Sequence, residues 1–324
     1  MSWKDDFLQL YTSNIVSDFG KALELKREHI PKKLYRYRPL SNDNMKYRFG
    51  EIVRGELRMS HPKELNDPFE VCSQLGSTNP SDYIANKKDM YANQFAGTIS
   101  EHKHQEIFSS DNWFNLLVSY IAEETALKDE LERNKTALEK ITLFGMEMLN
   151  SDLSETARKI VRFACFSTTA TNLPMWHHYT NGHKGICLEY KTDDITNIYQ
   201  KNMLFPVCYV EKLPDVVSMM LHGTYQKFGL FDYMAMHKLK DWSYENEWRL
   251  IHNVGSWHYS PEDVPDDFYT NGKTIQFIRP SKIIMGIQIS DSHRAEIERI
   301  ASIANVPVMQ AKQTEYGLDV TGEK

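Results

Sequence analysis

The stretch Asp241-Trp-Ser-Tyr-Glu-Asn-Glu-Trp-Arg-Leu-Ile251 joins two acidic residues and large aromatic side chains to the start of a strand. Side chains of a strand point alternately to its two faces. Because Glu245 and Glu247 are two positions apart at the strand entrance, both carboxylates can address one ligand. The aromatic neighbours would shape the pocket and exclude water from it. We interpret this stretch as part of a functional site carried by a β-sheet.

A structural interpretation of the same residues stays open. Glu247 and Arg249 fall on one face of the predicted strand, where they can form an ordinary ion pair beside a buried Trp248. Under this alternative the acidic residues support the fold and contact no ligand.

The patterns on either side of this stretch predict an α+β fold with a mixed, mainly antiparallel sheet. Residues 31–79 and 161–324 are rich in strand-like segments and are predicted to form the core domain. Residues 80–160 carry charged, leucine-containing segments at helical spacing, which predicts an inserted α-helical subdomain. Residues 1–30 are predicted to form an N-terminal docking helix. One long helix is also predicted from Pro214 to Lys240.

Composition and charge exclude several classes of protein. The formal net charge of −6 argues against broad, nonspecific nucleic-acid binding. No apolar run approaches the roughly 20 residues of a membrane span, so no membrane partner is predicted. The four cysteines form no CxxC pair of the kind used for zinc or redox chemistry. We predict a cytoplasmic protein with reduced thiols.

Two arginines alternate with tyrosines in Leu34-Tyr-Arg-Tyr-Arg38. Arg36 and Arg38 therefore share one face of a predicted strand. Guanidinium groups bind phosphate oxygens bidentately, so this pair suits the pyrophosphate of a nucleotide. Pairing of the same arginines with Glu245 and Glu247 is the alternative. The chain lacks GxGxxG and GxxxxGK[ST], which argues against Rossmann and P-loop folds.

Residues 162–190 concentrate polar and aromatic side chains between two predicted strands. Ser167 ends the first strand, where its hydroxyl can either bond a ligand or cap local backbone. Trp176 and Tyr179 lie on a short predicted helix and are candidates to line the pocket.

Three histidines, His177, His178 and His183, fall in the same segment. Adjacent histidines on a helix point about 100° apart, and no further ligand stands at a recognised spacing. No metal site is predicted.

The combined motifs resemble the bacterial domain of unknown function family 2971. The resemblance covers most of the chain outside the first thirty residues and the helical insertion. It is carried by Leu34–Arg38, Asn66–Phe69, Cys165–Ser167, Met175-Trp176 with Tyr179, Gly185–Tyr190 and Tyr244–Arg249. This family implies no particular activity.

The order of the motifs also resembles that of ADP-ribosyltransferases. These enzymes place an arginine on a first strand, a Ser-Thr-Ser strand later, and a Glu-x-Glu loop near the end. The chain offers Arg36 or Arg38, then Ser167-Thr-Thr, then Glu245-Asn-Glu247 in the same order. The second motif departs from the family pattern in its last residue, and an insertion of about 80 residues separates the first two motifs.

The transferase resemblance implies a role for each candidate residue. The arginine would hold the dinucleotide phosphates, and Ser167 would order the nicotinamide pocket. Glu247 would bond the nicotinamide ribose and stabilise oxocarbenium character, while Glu245 would orient or deprotonate an acceptor. Trp176 or Tyr179 would stack on the nicotinamide.

We therefore predict an ADP-ribosyltransferase-like enzyme that uses NAD as its substrate, for ADP-ribosyl transfer or NAD hydrolysis. The resemblance implies a bacterial toxin or phage-defence effector, with a macromolecular acceptor or an antitoxin as partner. The alternative is a noncatalytic ligand-binding or signalling module. A third hypothesis is a metal-dependent nuclease that uses Glu189, Glu245 or Glu247 with nearby histidines.

Overall fold

The computed structural model describes residues 2–75, 88–125, 128–221, 229–253, 273–315 and 317–320. The chain divides into two compact units. One consists of Met1–Cys72, Thr156–Leu213 and Gln226–Lys324, and the other of Ser73–Glu155 and Pro214–Tyr225. The first unit contains the sheet, and the described secondary structure of the second is helical.

The described strands are, in chain order, β1 (Lys33–Arg38), β2 (Glu56–Met59), β3 (Val161–Ser167), β4 (Ile186–Lys191), β5 (Leu204–Pro206), β6 (Cys208–Val210), β7 (His237–Leu239), β8 (Glu247–Asn253), β9 (Lys273–Gln276), β10 (Lys282–Met285), β11 (Val308–Gln310), β12 (Lys312–Thr314) and β13 (Gly317–Asp319). A seven-stranded sheet has the order β11-β10-β4-β1-β3-β8-β5. Its pairs are antiparallel except β10 with β11, which are parallel. The predicted α+β class with a mixed, mainly antiparallel sheet is confirmed.

The described α-helices are α1 (Trp3–Tyr11), α2 (Val16–Glu28), α3 (Met45–Phe49), α4 (Lys88–Phe95), α5 (Glu101–Phe108), α6 (Trp113–Thr125), α7 (Lys128–Ile160), α8 (Leu173–Tyr179), α9 (Ile198–Met203), α10 (Val216–Leu221), α11 (Leu230–Met236) and α12 (Asp291–Ala304). A π-helical turn, Gly50–Arg54, continues α3, and a 3₁₀ segment, Lys240–Glu245, precedes β8. Within the described residues, no helix combines the length and apolar character needed to cross a membrane.

The N-terminal segment forms two helices instead of the single docking helix predicted. The first helix begins after Ser2, whose hydroxyl accepts the Asp5 amide in a capping box. It ends before Ser13, whose hydroxyl donates to Asp18 and accepts the Ile15 amide. These local side-chain hydrogen bonds compete with helical backbone hydrogen bonds, so the helix is interrupted here.

The long helix predicted from Pro214 to Lys240 is wrong at its C-terminal end, and residues 222–228 of it lie outside the described residues. The described part of this segment holds two short helices, α10 and α11, and the backbone becomes extended at His237. There β7 pairs in parallel with β6, so tertiary pairing overrides the helical pattern. The consequence for function is that Lys238 lies on a strand and not at a helix end.

The seven-stranded sheet is covered by apolar side chains on both faces. Leu34, Leu188 and Leu250 belong to the larger cluster, which also includes the inward side chains of α12. The second cluster contains Tyr37, Trp176 and several other side chains. Successive residues of a strand alternate between these faces. The arginines of β1 therefore fall on the opposite face from its tyrosines.

Candidate functional site

A cavity of about 320 Å³ opens beside the junction of β1 and β3. These strands pair at Tyr35 and Ser167. After Tyr35, residues Arg36–Arg38 pair with β4 on their other side. Residues 35–39 and 165–167, next to the junction, line the cavity. Residues 64–67, part of α8 and the end of the 3₁₀ segment before β8 complete the lining. Its volume lies at the lower end of the range for small-molecule sites.

The structure brings six of the predicted site residues to this cavity. They are Arg36, Arg38, Ser167, Tyr179, Glu245 and Glu247. These residues are widely separated in the chain, so only the paired strands and the packing of α8 place them together.

Trp176 does not line the cavity and cannot stack on a ligand there. Its ring is fully buried and packs edge-on against Tyr37, with 5.3 Å between the ring centroids. Its indole N–H donates to the carbonyl of Ala170 at 2.8 Å. Met175 and Tyr179, four positions apart on one helix face, line the cavity instead.

Glu245 lies in the cavity wall between a phenol and an ammonium group. The Tyr179 hydroxyl donates to one carboxylate oxygen at 2.5 Å, and Lys238 Nζ donates to the other at 2.6 Å. Burial and the neighbouring Glu247 carboxylate raise the pKa of Glu245. Burial and Glu245 also raise the pKa of Tyr179, so this phenol stays protonated at neutral pH. The arrangement is an acid-base pair open to the cavity.

Both carboxylate oxygens of Glu247 contact cationic side chains. Arg249 donates from Nε to one of its oxygens at 2.9 Å and from Nη2 to the other at 3.0 Å. Lys238 Nζ lies 3.4 Å from the second oxygen. Burial alone would raise the pKa of Glu247, but Arg249 and Lys238 outweigh it and lower that pKa to about 2. The ion pair that the sequence offered as a structural alternative is therefore present.

Glu70 completes a buried network that sequence reasoning missed. Arg249 Nη1 donates to Glu70 at 2.5 Å and to the Ala235 carbonyl at 2.7 Å. Burial raises the pKa of Glu70. Among the described residues, the network holds the three carboxylates of Glu70, Glu245 and Glu247 and the two cations Lys238 and Arg249. The sequence feature that could have pointed to Glu70 is the motif Asn66–Phe69, which directly precedes it.

The two arginines of β1 pair with Glu51 and not with Glu245 or Glu247, which corrects the predicted alternative. Arg38 Nε lies 3.0 Å and Arg36 Nε lies 3.6 Å from this carboxylate. Arg48 Nη1, on α3, lies 2.8 Å from it. The cause is strand alternation, which directs the arginines to the opposite face of the sheet from Glu247.

Ser167 supports the loop that carries the acidic residues. Its hydroxyl donates to the Glu245 carbonyl at 2.7 Å and accepts the Thr169 amide at 3.3 Å. Asn172 adds a second link by donating to the Tyr244 carbonyl at 2.5 Å. These bonds couple the end of β3 to the start of β8, so Ser167 acts as a strand-end and loop-positioning residue.

Of the acidic residues considered for metal chemistry, Glu245 and Glu247 line the cavity and Glu189 does not. His178 lines it, but Glu189 instead accepts hydrogen bonds from Tyr35 at 3.2 Å and from Ser281 at 3.1 Å. No group of three or more histidine, cysteine, aspartate or glutamate residues in the described part of the chain is placed to hold a metal ion. Burial raises the pKa of Cys165 and of Cys187 well above its ordinary value, so neither is an activated nucleophile.

His237 adds a pH dependence to the strand that carries Lys238. Burial lowers its pKa to about 4, although a hydrogen bond to the Tyr233 carbonyl opposes this shift. Between pH 6.5 and 4 the unfolded chain binds a proton here that the folded chain does not. Stability is therefore lost as the pH falls through this window, by about 3 kcal/mol from this group.

We expect His237→Gln to flatten the decline in the free energy of unfolding between pH 7 and pH 4. Urea titrations at several pH values would measure how the free energy of unfolding changes with pH. The matched control is Gln313→Asn, at an exposed position of β12, which changes no titrating group and should leave the slope unchanged. Equal slopes in the wild type and in His237→Gln would contradict the prediction.

Comparison with known families adds one finding. Residues 175–250 match the family model described as Protein of unknown function (DUF2971). The predicted resemblance to this family is confirmed for that segment, which includes Tyr179, Lys238, Glu245 and Glu247. A search of curated proteins and a search of solved structures each return no match.

Proposed function

We propose that the cavity is the active site of an NAD-dependent enzyme that transfers ADP-ribose or hydrolyses NAD. One observation carries the proposal: Arg36 and Arg38 line the same cavity as Glu245 and Glu247. A dinucleotide needs positive groups for its phosphates and negative groups for its cationic nicotinamide ring. Residues of both charges are among those that line the cavity.

In the proposed reaction the bond between nicotinamide nitrogen and ribose C1′ breaks, and its electron pair leaves with neutral nicotinamide. The carboxylates lie beside the positive charge that develops on the ribose, where exclusion of water strengthens their effect. Water or an acceptor hydroxyl then bonds to C1′ and loses its proton to Glu245. The raised pKa of Glu245 makes it the better proton acceptor of the pair.

The contacts change the role that the resemblance implied for Glu247. Both of its oxygens accept hydrogen bonds from Arg249, and Lys238 lies beside it. We therefore propose Glu247 as a positioning residue that holds Lys238 against Glu245. Glu245 is proposed as the residue that touches the reacting groups.

We expect Glu245→Gln to reduce nicotinamide release from NAD by at least 100-fold, because general-base catalysis contributes roughly 10²–10⁴-fold. Chromatography of the released nicotinamide would measure the rate. The control Glu211→Gln alters an exposed carboxylate paired with Lys240 and should retain full activity. Full activity in a folded Glu245→Gln variant would rule out this mechanism, and a wild type inactive on NAD would rule out the reaction.

A noncatalytic ligand-binding module is the second candidate. It is favoured by the saturation of Glu247, whose oxygens are all occupied by protein cations. This candidate predicts that a nucleotide raises the melting temperature without any release of nicotinamide. Mass action gives about 2.7 kcal/mol of stabilisation at a hundred times the dissociation constant, which a thermal shift detects readily.

A further inference from the structure

Asp67 is a buried carboxylate in the wall of the cavity. The residue is 4% exposed and lines the cavity together with its neighbours Leu65 and Asn66. Its Oδ1 accepts the Phe69 amide at 2.8 Å, and its carbonyl accepts the Glu70 amide at 3.2 Å. Both hydrogen bonds lie within one turn, in which an Asp side chain bonds the backbone two residues further on. The turn therefore fixes the orientation of the carboxylate.

The second carboxylate oxygen of Asp67, Oδ2, has no hydrogen-bond donor and no cation within 4.0 Å among the described residues. The two cations of the neighbouring ionic network pair with the three carboxylates of that network. Buried charges in proteins are usually paired, so this arrangement is unfavourable without a ligand. Unlike Glu70 Oε2, Asp67 Oδ2 is not fully enclosed by protein, and the residue lines the cavity. A ligand in the cavity can therefore supply the missing partner.

Aromatic rings line the same cavity. Tyr35, Ser167 and Glu247 pair in register across β1, β3 and β8, so their side chains lie on one face of the sheet. Tyr35 and Tyr179 both line the cavity and stay partly exposed. The face of an aromatic ring attracts a cation, and so does a carboxylate. This combination suits a flat organic cation.

We propose that Asp67 binds the positively charged nicotinamide ring of NAD and makes the cavity selective for NAD over NADH, whose ring is neutral. The inference rests on the proposed function for the identity of the ligand, and it adds a binding residue to that site. Both oxygens of Glu245 are already held, by the Tyr179 hydroxyl and by Lys238, whereas Asp67 keeps one oxygen for the ligand. The attraction between this oxygen and a cation is strong because the site is shielded from bulk water. Asp67 therefore binds the ring, and Glu245 remains the proton acceptor of the reaction.

Two small probes test the site without turnover. The 1-methylnicotinamide cation and its neutral 1,4-dihydro form have nearly the same shape but differ in charge. Neither has a ribose or a phosphate, so neither can be cleaved as NAD is. Equilibrium dialysis would measure the affinity for each. We expect the wild type to prefer the cation by about tenfold or more, because an ion pair shielded from water is strong.

Asp67→Asn should abolish this preference. The amide oxygen of asparagine can still accept the Phe69 amide, so the turn is kept while the charge is removed. Asp194→Asn, which alters an exposed aspartate outside the cavity, is the matched control and should keep the wild-type preference. Should Asp67→Asn not fold, Asp67→Ser also removes the charge and offers a hydroxyl to the same amide. The ratio of the two affinities is the readout, since a general disturbance of the cavity would weaken both probes alike.

Three results would overturn the proposal. The wild type could bind both probes equally, it could fail to bind the cation, or the Asp67 variant could keep the wild-type preference. Release of nicotinamide from NAD is measured separately. A protein that prefers the cation through Asp67 but never cleaves NAD would retain this binding site and lose the proposed reaction, so the two proposals can fail independently.

Discussion

Glu247→Gln is expected to lower the free energy of unfolding by roughly 3–5 kcal/mol, the usual cost of breaking a buried ion pair by removing one partner. Arg249 is fully buried, and Glu247 is 4% exposed. The neutral amide cannot balance the Arg249 guanidinium or Lys238. The transferase resemblance implied a catalytic role for Glu247, whereas the ionic contacts predict that its replacement destabilises the fold.

Urea denaturation of Glu247→Gln beside Glu211→Gln would measure this effect. The control removes a carboxylate from an exposed ion pair and should leave the transition midpoint unchanged. A double variant, Glu247→Leu with Arg249→Met, should lose less stability than the sum of its single variants, because both charges of the pair are removed together. A Glu247→Gln protein as stable as the wild type would show that the network does not support the fold.

Glu51→Gln is expected to cost a similar amount, roughly 3–5 kcal/mol, because three arginines then lose the carboxylate they share. Glu51 is 2% exposed. Burial alone would raise its pKa, but Arg38, Arg36 and Arg48 outweigh burial and lower the pKa to about 2. This contribution is present above pH 4.5 and is lost as the pH falls towards 2.

The expected loss can be separated from a packing effect by a second substitution. Adding Arg48→Met to Glu51→Gln removes one of the three repelling charges and should restore part of the stability. Glu296→Gln, which alters an exposed pair with Arg299, is the control that should unfold with the wild type. If Glu51→Gln unfolds at the wild-type urea concentration, charge balance in this cluster is not important for folding.

The two ionic clusters lie on opposite faces of the sheet. Arg36 and Arg38 project from β1 to one sheet face, and Glu247 projects from β8 to the other. The described residues therefore carry an excess of positive charge around Glu51 on one face and an excess of negative charge around Lys238 and Arg249 on the other.

Sequence reasoning failed where a side chain's role depended on distant partners. Lys238 was assigned to a helix end, because Pro214 to Lys240 has apolar residues at helical spacing. In the structure it lies on β7 and contacts both Glu245 and Glu247. Sequence reasoning also placed Trp176 in the cavity. In the structure its ring is buried, and the preceding residue of α8, Met175, lines the cavity instead.

The sequence by itself determined the α+β class, the strand character of β1, β3, β4 and β8, and six of the residues that line the cavity. These follow from local rules, since alternation and residue type are properties of short segments. Only the tertiary structure decided which charges meet. Glu51, Glu70 and Lys238 acquire their partners through strand pairing and burial, and those contacts are set by residues up to 179 positions away. Local patterns carry no information on such distances, so the ionic partners of the site could be learned only from the fold.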